Sequence, residues 1–177
     1  MKAQQPTMSP IDVVVLLKII SLGNQPWNQK PLADSLGISQ SEVSKSIARS
    51  KYTGLLDPSG KIVRRLTMID FLQYGIAYVF PQQPGALVRG IPTAHSAAPL
   101  NAIIQGTEAY VWPSGKGTLR GQSITPLYPS VVNAVQNDPK LYELLALIDA
   151  VRVGRAREKE LAINELKSRI LNGEQND

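Results

Sequence analysis

Cysteine is absent from this 177-residue chain, and histidine occurs once, as His95. Without cysteine there are no disulfides, no thiolate catalysis and no cysteine metal sites, which suits a reducing cytoplasm, where we expect the protein to act. The histidine lies among Thr, Ala and Ser, so the sequence marks no partners for a Ser-His-Asp triad. We therefore predict no catalytic residue, no metal and no cofactor, and we expect a protein that is not an enzyme.

Long hydrophobic runs are also missing. The longest, residues 11–22, includes Asp12 and Lys18 and is shorter than the roughly 20 apolar residues that cross a bilayer. We therefore predict no membrane partner. Ser9 and Pro10 instead mark the run as a first helix, as its N-cap and its first helical residue. Because this helix is apolar on almost every side, we expect the next two helices to cover one face and either the C-terminal half or a second subunit to cover the other.

Two short helices joined by a glycine turn are predicted between residues 31 and 52. Pro31 suits a first helical turn, and Leu32, Ala33 and Leu36 then recur at helical spacing. Gly37 accepts the left-handed backbone that ends a helix, so a sharp turn is expected at this position.

The second helix of the pair is expected to be amphipathic. Ser39 and Glu42 have the spacing of a capping box, while Val43 and Ile47 lie one turn apart and face inward. The other face is polar and basic, which fits either an ordinary solvated surface or hydrogen bonds to bases and phosphates, including pairing of an arginine with guanine. It carries Gln40, Ser41, Ser44, Lys45 and Arg49.

A short β-hairpin is predicted after the second helix. Its turn is the sequence Asp-Pro-Ser-Gly at residues 57–60, between two short apolar runs. Lys61, Arg64 and Arg65 follow the turn and supply charge for a flanking phosphate or a minor groove. Residues 39–65 hold six basic and two acidic residues, a net +4 of the +5 carried by the whole chain. Such a concentration is typical of nucleic-acid binders.

Residues 10–66 resemble the winged helix-turn-helix domain of bacterial MarR-type transcriptional regulators. The resemblance is carried by the Leu-Ala-x-x-Leu-Gly-Ile-Ser run at 32–39, by the helix that follows and by the segment 54–65. It implies a recognition helix in the major groove of double-stranded DNA, a wing on the flanking backbone, and a homodimer that reads a palindrome.

The middle of the chain has a different composition. Thirteen of the fifty residues 81–130 are Gly or Pro. The apolar runs 86–88, 102–104 and 109–112 have strand length and lie between turn signals, so an irregular β-rich module is predicted. The glycine-rich segment 115–121 lacks the spacing of a phosphate-binding loop and is expected to be a β-turn.

The C-terminal part is predicted to be helical to its end. Asp138 and Pro139 mark a helix start, and an apolar stripe continues on either side of Gly154. Three arginines near the break favour ion pairs at i, i+3 spacing, with an anchor for an acidic partner or extra phosphate contacts as the alternative. They are Arg152, Arg155 and Arg157.

The sequence as a whole predicts an α+β fold with a winged helix-turn-helix domain at 1–80 and a β-like module with C-terminal helices at 81–177. The function expected is a sequence-specific DNA-binding transcription regulator, acting as a repressor. The alternative is a protein-interaction module, because the layout is similar to AbiEi-type antitoxins. In that case a toxin-like partner would bind Arg89, Arg152, Arg155 and Arg157. An enzyme would have to hold its whole site within residues 81–130.

Overall fold

The α+β class is confirmed by a computed structural model, which describes residues 3–106 and 108–172. Within those ranges five helices come first, three strands follow, and three helices complete the fold. The first five are α1 (Pro10–Ser21), α2 (Gln29–Leu36), α3 (Gln40–Tyr52), α4 (Arg65–Tyr74) and α5 (Ile76–Val79). The strands are β1 (Leu87–Pro92), β2 (Tyr110–Pro113) and β3 (Leu119–Ser123), and the last helices are α6 (Val131–Ala134), α7 (Pro139–Val153) and α8 (Ala156–Leu171).

Helix α1 starts where the sequence predicts. The Ser9 N–H donates to the Asp12 carboxylate at 2.8 Å, and Pro10 is the first helical residue. Nine of its twelve residues are buried, because α2 and α3 pack on one side and α7 packs on another. The expected burial of two faces is confirmed.

The turn between α2 and α3 depends on Gly37, whose φ of 67° is left-handed. The Ile38 N–H then closes the end of α2 on the Ala33 carbonyl at 3.1 Å. The Ser39 hydroxyl caps α3 by accepting the Glu42 N–H at 3.1 Å. The reciprocal half of the predicted capping box is wrong, because the Glu42 carboxylate accepts the Tyr128 hydroxyl at 3.1 Å instead.

The hairpin after α3 is short. Leu56 and Val63 form a single antiparallel bridge. Next to it, the Asp57 N–H donates a hydrogen bond to the Ile62 carbonyl at 2.9 Å. The helix that follows ends at Tyr74, and Gly75 separates it from the four-residue α5. This break fits the low helix propensity of glycine.

The three strands form a small closed barrel. β1 pairs antiparallel with both other strands, and β2 and β3 pair in parallel. Glycine permits the close approach of the backbones, since a Cβ at Gly121 would lie 2.6 Å from the Ala109 carbonyl oxygen. The turn expected within 115–121 lies between β2 and β3, where the Gly117 N–H donates to the Ser114 carbonyl at 3.1 Å.

One predicted strand is wrong and one strand was not predicted. Residues 100–102 form a 3-10 turn rather than part of a strand, and the Ile103 N–H donates to the Leu100 carbonyl at 2.9 Å. Strand β3 lies instead in a polar segment, Leu-Arg-Gly-Gln-Ser.

Helix α7 has the predicted start, with the Asp138 carboxylate accepting the Leu141 N–H at 3.0 Å. Gly154 follows its last residue, and α8 is a separate helix. The predicted helical segment beyond residue 172 lies outside the described residues.

One hydrophobic core runs through the described part of the chain. It joins α1, α4, α7 and α8 with Trp112 of the barrel, and Lys18 of α1 pairs with Asp138 at the start of α7 at 2.5 Å. The two regions predicted as domains, 1–80 and 81–177, therefore share this core. Over the described ranges, no helix has the length and apolar character needed to cross a bilayer.

Candidate nucleic-acid interface

The outer face of α3 is open. Its polar and basic side chains are exposed, and none forms a hydrogen bond or ion pair with the described residues. The buried face, with Val43 and Ile47, packs into the core. Four predicted site residues thus share one accessible surface: Gln40, Ser41, Ser44 and Lys45.

Arg49 does not belong to that open face. Its Nε donates to the Asp12 carboxylate at 2.9 Å and its Nη2 at 2.8 Å, which makes a bidentate pair with a carboxylate that is 1% exposed. The hydrogen bonds that Arg49 donates to the Asp12 carboxylate raise the pKa of Arg49. We expected Arg49 to face bases and nearby phosphates; the structure places it as the link between α3 and α1.

Lys51 was missed in the sequence and lies on the open side of α3. It is exposed, and its aliphatic chain lies beside Gly60 at the tip of the hairpin. The signal was available, because Lys51 follows Ser44 by seven residues, which is two helical turns.

Lys61, the first basic residue of the hairpin, is hydrogen-bonded to Trp27 in the loop before α2. Its ammonium donates to the Trp27 carbonyl at 3.0 Å and lies 4.3 Å from the centre of the indole ring. The indole N–H of Trp27 donates back to the Lys61 carbonyl at 3.2 Å. Lys61 therefore holds the hairpin against this loop, a role that the charge pattern did not indicate.

The other two hairpin cations differ from each other. The Arg65 guanidinium donates to the Ile170 carbonyl at 2.7 Å, so it ties α4 to the end of α8. Arg64 is exposed, and its guanidinium makes no hydrogen bond or ion pair with the described part of the chain. Of the two, Arg64 is the one available to an external phosphate.

The predicted partner-binding arginines are dispersed. Arg152 is 9% exposed; it pairs with Asp149 at 3.0 Å and donates to the Phe80 carbonyl at 2.8 Å. The expected i, i+3 ion pair is present, but in the core, so Arg152 is not available as a partner contact. Arg89, Arg155 and Arg157 are exposed.

Asp149 joins the barrel to α7. Besides Arg152, its carboxylate accepts the Thr93 hydroxyl and the Trp112 indole N–H, both at 2.7 Å. Burial raises the pKa of Asp149, while Arg152 and the two neutral donors act in the opposite direction. A buried carboxylate with these partners is a structural junction.

The open surface is cationic because its basic side chains outnumber its acidic ones, Glu42 and Asp57, whose carboxylates are held by hydrogen bonds from neutral donors. Glu42 accepts the Tyr128 hydroxyl, and the Asp57 carboxylate accepts the N–H groups of Lys61 and Ile62 at 3.2 and 3.0 Å. Lys61 is exposed but bonded to Trp27, and the exposed cations on α3 and the hairpin whose side chains form no hydrogen bond or ion pair among the described residues are Lys45, Lys51 and Arg64. Together with the neutral polar residues of α3, they present donors for phosphates and for base edges.

The fold and this surface define a helix-turn-helix unit with a short hairpin beside it, built on the same core as a small barrel. No protein-family model, curated protein or solved structure matches the chain.

Proposed function

We propose that this protein is a sequence-specific transcription regulator, a repressor, that binds double-stranded DNA with α3 in the major groove. The observation that carries the proposal is the open face of α3, which joins unpaired polar and cationic side chains on a helix that follows a tight glycine turn. An α-helix fits the width of the major groove, and short side chains let it approach the bases.

The anchoring of α3 supports this proposal. Ser39 caps its start, Tyr128 bonds to Glu42 in its first turn, and Arg49 binds Asp12 farther along the helix. A recognition helix held at several points keeps its outer side chains in a fixed orientation, which favours discrimination between sequences.

The side chains divide by chemistry. Gln40, Ser41 and Ser44 are suited to base edges, because amides and hydroxyls both donate and accept hydrogen bonds. Lys45 and Lys51 are suited to phosphates beside the groove, and Arg64 to the backbone flanking it. One recognition helix reads few base pairs, so the proposal includes a homodimer on a palindromic site.

Enrichment of duplexes from a random library by the purified protein tests this function. We expect a palindrome to be enriched, and we expect Lys45→Gln and Arg64→Gln each to lower the salt slope of its binding by about one. Lys159→Gln on α8 is the matched control and leaves the slope unchanged. Recovery of random sequence, with the same slope for all variants, contradicts the proposal.

A protein-interaction module such as an antitoxin is the second candidate. It is favoured by the exposure of Leu66, Tyr74 and Tyr78 on the consecutive helices α4 and α5, at 73%, 69% and 85%, because aromatic side chains are enriched at protein interfaces. A toxin encoded beside this chain would then copurify with it. Loss of that complex in Tyr74→Ser/Tyr78→Ser, with DNA binding unchanged, would support this candidate.

A further inference from the structure

The barrel region has very few charges, and most of them are positive. Between residues 81 and 137 the sequence contains three basic residues and one acidic residue. They are Arg89, Lys116, Arg120 and Glu108. A segment this poor in charge has little need of cations for its own fold.

Two of these cations lie directly opposite each other. Arg89 of β1 is the antiparallel partner of Arg120 of β3, so both side chains leave the same face of the barrel. Directly opposed residues have Cβ atoms about 5 Å apart. Both arginines are exposed. Lys116 is exposed too, in the turn after β2, and this turn starts beside Arg89 because the Ser114 N–H donates to the Arg89 carbonyl at 3.1 Å.

No counter-charge neutralises the arginine pair. Neither guanidinium makes an ion pair within 4.0 Å among residues 3–106 and 108–172. Glu108 lies near Tyr110 instead: burial is the main cause that raises the pKa of Tyr110, Glu108 and Glu158 add to the shift, and Arg155 opposes it. Like charges placed opposite each other on a sheet destabilise it, so the pair is better explained by a ligand than by the fold.

We propose that Arg89 and Arg120, with Lys116, form a second phosphate contact for the DNA that α3 reads; this inference rests on the proposed function. Two planar guanidinium groups that start from adjacent strands can converge on one phosphate, each with parallel N–H donors. The contact adds affinity and orientation without reading bases.

The distance along the chain allows one duplex to meet both surfaces. Tyr128 bonds to Glu42 at the start of α3, and Arg120 precedes Tyr128 by eight residues. The Cα atoms of Arg120 and Tyr128 are therefore at most about 28 Å apart, even if the chain between them is fully extended. One turn of B-DNA spans about 34 Å, so a bound duplex extends over this range.

A nucleic-acid backbone fits the pair better than an acidic protein does. Leu87 is the exposed apolar neighbour on this face, paired with Gln122 in the strand register. A protein interface needs a desolvated core of apolar and aromatic groups, and Leu87 with Gln122 supplies little of it. Backbone phosphates require only the cations.

Arg89→Gln/Arg120→Gln tests the contact on the duplex that the parent protein enriches. We expect the variant to enrich the same sequence, but with a salt slope lower by about two. Lys140→Gln/Lys159→Gln removes the same charge from exposed positions on α7 and α8, and it should retain the parent slope. Arg89→Lys/Arg120→Lys should restore the slope, and thermal unfolding of each variant confirms that it is folded.

Each other outcome overturns the inference in a recognisable way. An unchanged slope in the glutamine variant, with DNA binding intact in the parent, removes the second contact and leaves the proposed function standing. Polyglutamate serves as a probe for an acidic protein partner. If the glutamine variant keeps the parent slope on DNA but no longer binds polyglutamate, the arginines are assigned to an acidic protein instead. If the parent enriches no duplex, the proposed function and this contact fall together.

Discussion

The pair formed by Asp12 and Arg49 shows how one side chain can be diverted from a surface to the scaffold. Asp12 is 1% exposed and its partner's side chain is 25% exposed, so the carboxylate depends on this arginine and on the Ser9 N–H. A buried carboxylate that loses its cation keeps its desolvation cost without compensation.

We expect Arg49→Ala to lower the free energy of unfolding by about 3 kcal/mol, the lower end of the effect of breaking a buried pair. Urea unfolding followed by circular dichroism measures this change. Lys45→Ala, from the open face of the same helix, should stay within about 0.5 kcal/mol of the parent. If the Arg49→Ala protein is as stable as the parent but no longer binds DNA, Arg49 contacts DNA and the structural role given to it here is wrong.

The sequence predicted the open face of α3 but could not separate free cations from engaged ones. Arg49, Lys61 and Arg65 bind groups that are 37, 34 and 105 residues away. Charge and helical spacing report local geometry only, so nothing near these residues in the chain marks their partners. Lys51, by contrast, could have been found by the same spacing that selected Ser44.

Among the elements, the hairpin turn after α3 is organised by one carboxylate. The pKa of Asp57 lies below its ordinary value of 3.8, mainly because the Ile62 N–H bonds to the carboxylate, with the Ser59 hydroxyl as the next cause. The folded state therefore favours the ionised form. Its stabilising contribution is present above the unfolded pKa and is lost as the pH falls through the lowered folded pKa.

We expect Asp57→Asn to be less stable than the parent at neutral pH, with a difference that shrinks as the solution is acidified below about pH 4. Unfolding of both proteins across the acid range measures the difference. Asp70→Asn, an exposed carboxylate of α4, controls for the loss of one negative charge. A difference that grows on acidification would mean that the turn does not favour the ionised carboxylate.

Elements with explicit start signals were predictable, and strands without apolar runs were not. Ser9 with Pro10, and Asp138 with Pro139, combine a cap with a first-turn proline, and both helices start there. Strand β3 has polar side chains at most of its positions and is fixed by pairing with two other strands. The apolar run 102–104 was mistaken for a strand because its length alone does not distinguish a strand from a turn.

At the scale of the molecule, Asp149 connects the barrel with the helical core. Its partners Thr93 and Trp112 come from the barrel region, while Arg152 belongs to α7 and also binds the Phe80 carbonyl. The apolar pattern of α1 predicted that α2 and α3 would cover one face and that the C-terminal half or a second subunit would cover the other, but not which of these two it would be. That choice depends on packing across the whole chain.

We expect Asp149→Asn to destabilise the protein by about 3 to 5 kcal/mol, because Arg152 is left buried without its counter-charge. Barrel and helices should still unfold together, since they share one core. Trp112 fluorescence in a Trp27→Phe background reports on the barrel, and circular dichroism reports on the helices. Transitions that separate in the parent protein would show that the barrel is an independent unit.

Helix α3 separates its two tasks by face. Arg49, Val43 and Ile47 hold it in place, while the side chains of Gln40, Ser44 and Lys45 are exposed and form no hydrogen bond or ion pair in the described part of the chain. Substitutions on the second set carry little penalty for folding, so evolution can vary them freely. Under the proposed function, descendants of this protein are thereby able to acquire new target sequences by changing a handful of codons, without rebuilding the framework that presents them.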